Sequence, residues 1–205
     1  MKHPNEFIIT DIETGGLDAT TCAIVEIAFC IINWNLNDVS NYCKVIKPYN
    51  PNLEYNKAAL EVNKLTMKEI NNGEDSSVVV DELIDLMKQS KKRTGKKPVM
   101  AGHNLDKFDM PFIEVFFKFH KKDIWDYAEC VTIDTMWLAR WRHNESENFK
   151  LGTILGKENI YLSHSHTALG DAESTKELVK CFLKALRSEG QIISKQNKFR
   201  NTFQF

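Results

Sequence analysis

The chain has no C-x-x-C pair, no apolar run near the ~20 residues that cross a bilayer, and no segment rich in proline or glycine. Each absence excludes something. Its five cysteines, Cys22, Cys30, Cys43, Cys130 and Cys181, are odd in number and irregularly spaced, which argues against a disulfide framework and against a zinc site. Three of them sit in apolar runs and read as core residues of a protein kept in a reducing cytoplasm. The polar start MKHPNE leads into an apolar run too short for a signal sequence, so a soluble, unexported protein without a membrane partner is expected. Five prolines and nine glycines in 205 residues mark no linker, and no repeat is visible. One domain spanning residues 1–205 is expected, with 190–205 as a tail free to flex.

A net charge of −1 gives no global attraction to nucleic acid, yet charge is unevenly placed. KQSKKRTGKKP, Lys88 to Pro98, holds six basic residues and no acid. The tail adds Lys195, Lys198 and Arg200 without an acid. Either patch reads as a solvated surface or as an electrostatic footprint for phosphates.

Hydrophobic periodicity divides the chain into alternating elements. Phe7–Asp11, Ala23–Trp34 and Tyr42–Pro48 read as three strands in succession, the last following the turn-forming NLNDVSN. Asn56–Ile70 and Ser77–Ser90 read as helices, the second with Val79, Leu83, Leu86 and Met87 on one face and Ser76 or Ser77 as N-cap. Pro98–Gly102 is a short buried strand, and Phe108–His120 an apolar helix with Pro111 in its first turn. Val131–Asp134 is a strand before the helical MWLARW, and Lys150–Leu155 starts a short helix. A final helix runs from Ala168 to Ser188, with Thr175, Val179, Phe182, Leu183 and Leu186 on its buried face and Gly190 as its stop. This order predicts an α/β fold: a central mixed five-stranded sheet with helices on both faces.

The acids are where the chemistry begins. In FIITDIETGG a buried strand ends with Asp11 and Glu13 on one side and Ile12 on the other, the two acidic Cα atoms ~6–7 Å apart. Such a pair suits a hard cation held by carboxylate oxygens. Asp109 opens a helix after a buried strand, so it stands at the carboxyl end of the sheet, where open α/β folds gather ligands. Asp171 opens the final helix, and His166 lies five residues before it, on the loop leading in. A cluster of acids costs stability unless a cation compensates it.

DIETGG, HNLDKFD and HTALGDA resemble the three motifs of the DEDDh exonucleases, the DnaQ-like branch of the ribonuclease H-like superfamily, in the same order. IVEIAFCII, LEVNKLT, IDTMWLAR and KLGTIL resemble intervening segments of that family. Two departures stand out. Three residues separate Asn104 from Phe108, a spacing more like the three-prime repair exonucleases and bacterial exonuclease I, and Asn63 stands where many members have histidine.

The resemblance implies a ribonuclease H-like fold and a 3′–5′ exonuclease working with two divalent ions, Mg²⁺ or Mn²⁺. Asp11, Glu13, Asp109 and Asp171 would be the metal ligands. His166, chosen over His164 for its spacing to Asp171, would be the general base. Thr14, Gly15, Leu17, Asn104 and Phe108 match positions that contact the substrate strand. The expected partner is the 3′ end of single-stranded DNA or RNA, released as nucleoside 5′-monophosphates. DNA is the guess, and an RNA 3′-end trimming or oligoribonuclease-like enzyme the alternative. A homodimer and a polymerase partner both remain open. A catalytically silent nucleic-acid-binding module would have lost carboxylates, and all four are present.

Overall fold

A computed structural model describes residues 5–161 and 167–202, with side chains through Gly190. Five strands form one mixed sheet: β1 (Phe7–Thr14), β2 (Ile24–Ile32), β3 (Asp38–Val45), β4 (Val99–Gly102) and β5 (Thr132–Asp134), in the order β3-β2-β1-β4-β5. β1, β2 and β3 pair antiparallel, while β4 and β5 continue parallel to β1. The carboxyl ends of β1, β4 and β5 therefore share one edge of the sheet.

Seven α-helices accompany the sheet among the described residues: α1 (Lys57–Asn63), α2 (Met67–Asn71), α3 (Ser76–Thr94), α4 (Asp109–Phe119), α5 (Thr135–Arg142), α6 (Leu151–Lys157) and α7 (Ala168–Thr202). The period-two pattern of β1 assigns its two faces. Ile8 and Ile12 join Val79, Leu83 and Met87 of α3 and Phe112, Ile113 and Phe116 of α4 in the larger core. Phe7 and Ile9 join Ala28, Cys30 and Ile32 of β2 against Ala168, Ala172 and Val179 of α7. Asp11 and Glu13 belong to that second face by alternation. Small residues on both sides, Ala28 on the strand and Ala168 and Ala172 on the helix, let α7 lie close to the strand that carries them.

Several expected boundaries move, each for a local reason. The helix expected over Asn56–Ile70 is two helices: Lys64 adopts a left-handed φ of 59°, and Thr66 with Glu69 forms a reciprocal capping box that starts α2 afresh. The N-cap of α3 is Asp75, not Ser76 or Ser77; its carboxylate accepts from the Ser77 N–H at 2.9 Å. β3 begins at Asp38 and ends at Val45, earlier than Tyr42–Pro48 at both ends. It is the sheet edge, so its first four residues are exposed and carry no apolar alternation to read. Gly190 does not stop α7, whose backbone continues to Thr202. Glycine in a helix costs only about 1 kcal/mol. Leu186, expected on the buried face of α7, is 52% exposed. No helix among the described residues is long and apolar enough to cross a membrane.

Candidate active site

β1 and α7 bring three carboxylates together. One oxygen each from Asp11, Glu13 and Asp171 lies within 4.8 Å of the others, with all three side chains half-buried. Asp109, in the first turn of α4, is buried at 4% exposure behind the end of β1 and interacts electrostatically with Asp11. Residues far apart in sequence thus converge on the shared strand edge.

Acids crowd and repel one another in this cluster. Burial pushes the Asp11 carboxyl well above the usual range, and Asp109, Asp171 and Glu13 push it further. Burial raises Glu13 to about 7, with Asp171 and Glu26 adding to the rise. Asp109 is raised by burial to about 8, although its own backbone and that of Ile12 hydrogen-bond the carboxylate and oppose the rise. Among the described residues, no lysine or arginine forms an ion pair with Asp11, Glu13 or Asp109. An all-oxygen donor set whose acids repel one another fits a hard divalent cation.

The turn after β1 is held rigidly. Thr14 is buried and its hydroxyl donates to the Gly16 carbonyl at 2.6 Å. The Gly15 N–H donates to Ala23 O at 2.8 Å and its carbonyl accepts from the Asn56 N–H at 2.7 Å. A Cβ on Gly15 would collide with the Glu54 carbonyl oxygen, so the fold itself requires glycine there. Beyond it Asp18 forms an Asx turn, accepting from the Thr20 N–H at 2.8 Å, and Leu17 stands at the tip 88% exposed.

Asn104 takes a left-handed φ of 62°, and its N–H donates to Asp134 Oδ1 at 3.0 Å. Phe108 is half-buried, its ring centroid 5.3 Å from that of Phe112. His166 lies outside the described residues.

The model of the RNase T family of exonucleases matches residues 8–179. The chain belongs to that exonuclease family. Among curated relatives, the PolC-type DNA polymerase III of Latilactobacillus sakei is 30% identical over 174 residues, 85% of this chain and 11% of the polymerase. The PolC-type polymerase of Bacillus subtilis is 26% identical over 184 residues, 90% of this chain and 12% of the polymerase. The chain therefore spans about a ninth of the length of these relatives. Among solved structures, E. coli exonuclease I in complex with a dT13 oligonucleotide superposes with a TM-score of 0.72 at 18% identity, covering 93% of this chain and 43% of that one. The zinc-bound E. coli exonuclease I complex with single-stranded DNA gives 0.72 at 20% identity, covering 86% and 40%. These superpositions show the ribonuclease H-like fold.

The sequence did not show the structural roles of three parts of this exonuclease chain. Glu26 lies directly across from Glu13 in the β1–β2 ladder, and its Oε2 accepts the N–H of Ala168, the first residue of α7, at 2.8 Å. It anchors the helix that delivers Asp171. Its signal was an acid inside the apolar run IVEIAF, which a fully buried strand would not carry. Asn63 is buried and donates from Nδ2 to the Thr14 carbonyl at 2.9 Å, which holds the end of β1.

The third concerns the basic segment Lys88–Pro98. Val99, which follows it, pairs with Phe7 at the start of β1, so the segment lies at the sheet edge opposite the carboxylates. Arg93 binds Glu6 through two hydrogen bonds of 2.9 and 2.8 Å, and Lys97 donates to the Trp125 carbonyl at 2.7 Å. Part of its charge is structural. The topology separates the rest from the acidic cluster.

Proposed function

We propose that this chain is a metal-dependent 3′–5′ exonuclease of the DEDDh type, which degrades single-stranded ends to nucleoside 5′-monophosphates. The convergence of Asp11, Glu13 and Asp171 within 4.8 Å, with buried Asp109 behind them, is the observation that carries this reading. Asp11, Glu13 and Asp171 would hold one Mg²⁺ or Mn²⁺, and Asp11 with Asp109 a second. When bound, two such ions stabilise the charge that develops on attacking and leaving oxygens of an in-line displacement.

The chain's own residues do the rest. The turn Thr14–Gly16, held by Ala23, Asn56 and Asn63, presents backbone to the terminal nucleotide. Leu17 at the turn tip wedges against the terminal bases, and Asn104 and Phe108 line the strand's path. His166 accepts the proton of the attacking water, a task for a side chain whose ordinary pKa is ~6.5. The water oxygen bonds to the phosphorus of the 3′-terminal nucleotide as the P–O3′ bond to the preceding nucleotide breaks; the departing 3′ oxygen takes a proton from solvent, leaving a new 3′ hydroxyl, and the cycle repeats.

DNA is the favoured substrate, supported by fold neighbours solved with DNA oligonucleotides. The likeness to PolC-type polymerases supports action beside a polymerase. The test uses 5′-labelled single-stranded DNA and RNA of one sequence with Mg²⁺, Mn²⁺ or chelator. A metal-dependent ladder shortening from the 3′ end, lost in Asp11→Ala and His166→Ala, is the expected result. Absence of cleavage by folded, metal-loaded protein would overturn the proposal.

A further inference from the structure

Asp134, at the end of β5, joins two parts of the shared strand edge. Its Oδ1 accepts from the N–H groups of Asn104 and Met136, at 3.0 and 2.9 Å, and its Oδ2 from that of Asp106 at 3.3 Å. One carboxylate thereby ties the loop after β4 to the first turn of α5. Trp137, three residues after Asp134 in that turn, is 52% exposed.

Two cations lie against this ring. Lys107 Nζ lies 5.7 Å from its centroid, from the β4–α4 loop, and the Arg140 guanidinium 5.7 Å from it, one turn along α5. Arg140 also lies 4.7 Å from the ring of Phe149, which precedes the exposed Lys150. Among the described residues none of Lys107, Arg140 and Lys150 forms an ion pair within 4.0 Å. Their neighbour Arg142 behaves differently, being neutralised by Glu158. Asp106 is the acid beside the patch, and its Oδ1 accepts from the Thr132 hydroxyl at 2.6 Å.

An exposed aromatic face with uncompensated cations around it matches a nucleotide: the base stacks on the ring and the phosphate meets the cation. The location matches too. β5 lies two strands from β1, about 10 Å along the edge that carries the carboxylates. A strand leaving the carboxylates past Asn104 reaches Trp137 within a few nucleotides.

We propose that Trp137, with Lys107 and Arg140 against its ring, is a stacking subsite for the single-stranded nucleic acid a few nucleotides back from the end being cut. The proposal rests on the nuclease reading above. It makes affinity depend on substrate length through one side chain, and gives Asp106 an opposing electrostatic effect.

The experiment measures binding of labelled oligo-dT, a trinucleotide and a dodecamer, to the full chain in chelator by anisotropy, and KM for both with Mn²⁺. In Trp137→Ala the ratio of dodecamer to trinucleotide affinity should fall about 10-fold, within the range for loss of one stacked base. Trp137→Phe should recover most of the ratio. Lys107→Gln should lower the salt dependence of dodecamer binding by about one phosphate contact, and Asp106→Asn should tighten dodecamer binding. Thermal melts establish that each variant is folded. If Trp137→Ala fails to fold, Lys107→Gln and Asp106→Asn carry the test by moving affinity in opposite directions.

An unchanged affinity ratio in folded Trp137→Ala, or equal weakening of both lengths, would overturn the subsite even though the wild type cleaves. Unchanged nucleic-acid binding together with loss of a protein partner would do the same, making this a protein-docking face. A wild type that neither binds nor cleaves either length would instead defeat the nuclease reading and the subsite with it.

Discussion

Acids at the two ends of strand β1, buried at its start and half-buried at its finish, are treated in opposite ways. At its start Glu6 is 4% exposed and Arg93 grips it with a two-pronged pair of hydrogen bonds, and the pairing raises the guanidinium pKa. At its finish Asp11 and Glu13 face Asp171 within 4.8 Å, burial and the charges of Asp171 and Glu26 act on both, and their carboxyls are pushed upward. The first arrangement is complete within the chain. The second is an arrangement of repulsions that a divalent cation would relieve. A buried acid is therefore informative through its partner: a fixed guanidinium ties a terminus down, whereas a ring of carboxylates is organised around something else.

Exchanging the roles of the two ends tests this contrast most severely. Asp11→Asn should lower cleavage at least about 10³-fold, the scale on which removing a group essential to the chemistry acts, while the metal-free protein melts no lower because a repulsion has gone. Arg93→Ala should do the reverse. It leaves Glu6 buried and unpaired, and should cost about 2 kcal/mol after allowing for a guanidinium that is 40% exposed. Its cleavage rate per folded molecule should stay at the wild-type level. Chemical denaturation and single-turnover cleavage on both variants separate the two effects, and loss of catalysis in Arg93→Ala would break the contrast.

The pH dependence of stability sharpens it. Glu13 at about 7 and Asp109 at about 8 lie above the ~4 of unfolded carboxylates, so the folded chain binds more protons than the unfolded one between these values. Their contribution is present at low pH and is lost as pH rises from about 4 through 8. Melts in chelator should therefore fall across that window. Saturating Mn²⁺ should flatten the fall, adding about 2.7 kcal/mol at a hundredfold excess over its Kd. A flat profile in chelator would contradict the repulsive arrangement.

Smaller effects are expected from the supports. Glu26→Ala removes the acceptor for the Ala168 N–H, and should weaken Mn²⁺ binding about 10-fold in calorimetry by loosening the helix that carries Asp171. Glu26→Gln keeps an acceptor and should recover part of it. Asn63→Ala leaves the buried Thr14 carbonyl without its partner and should cost about 1 kcal/mol, measured by denaturation.

What the sequence by itself determined was local and periodic. Alternation in FIITDIETGG placed Asp11 and Glu13 on one face, and the helix starts around Asp109 and Asp171 followed from apolar spacing and turn residues. The capping box at Thr66 and Glu69 was written in the sequence as well, although the longer apolar period masked it. Edge strand β3 was hard to bound because a solvent-facing strand has no burial pattern to impose. Only the tertiary structure decided the rest. It brought Asp171 to within 4.8 Å of acids some 160 positions earlier, through an antiparallel β1–β2 pair whose Ala28 meets Ala168 and Ala172 of α7. It assigned Glu26 to the start of α7 and sent Lys88–Pro98 to the opposite edge. The physical reason is range. Propensity and periodicity act over a few residues, whereas the mutual repulsion of carboxylates depends on distances that exist only once the helix has packed on the sheet.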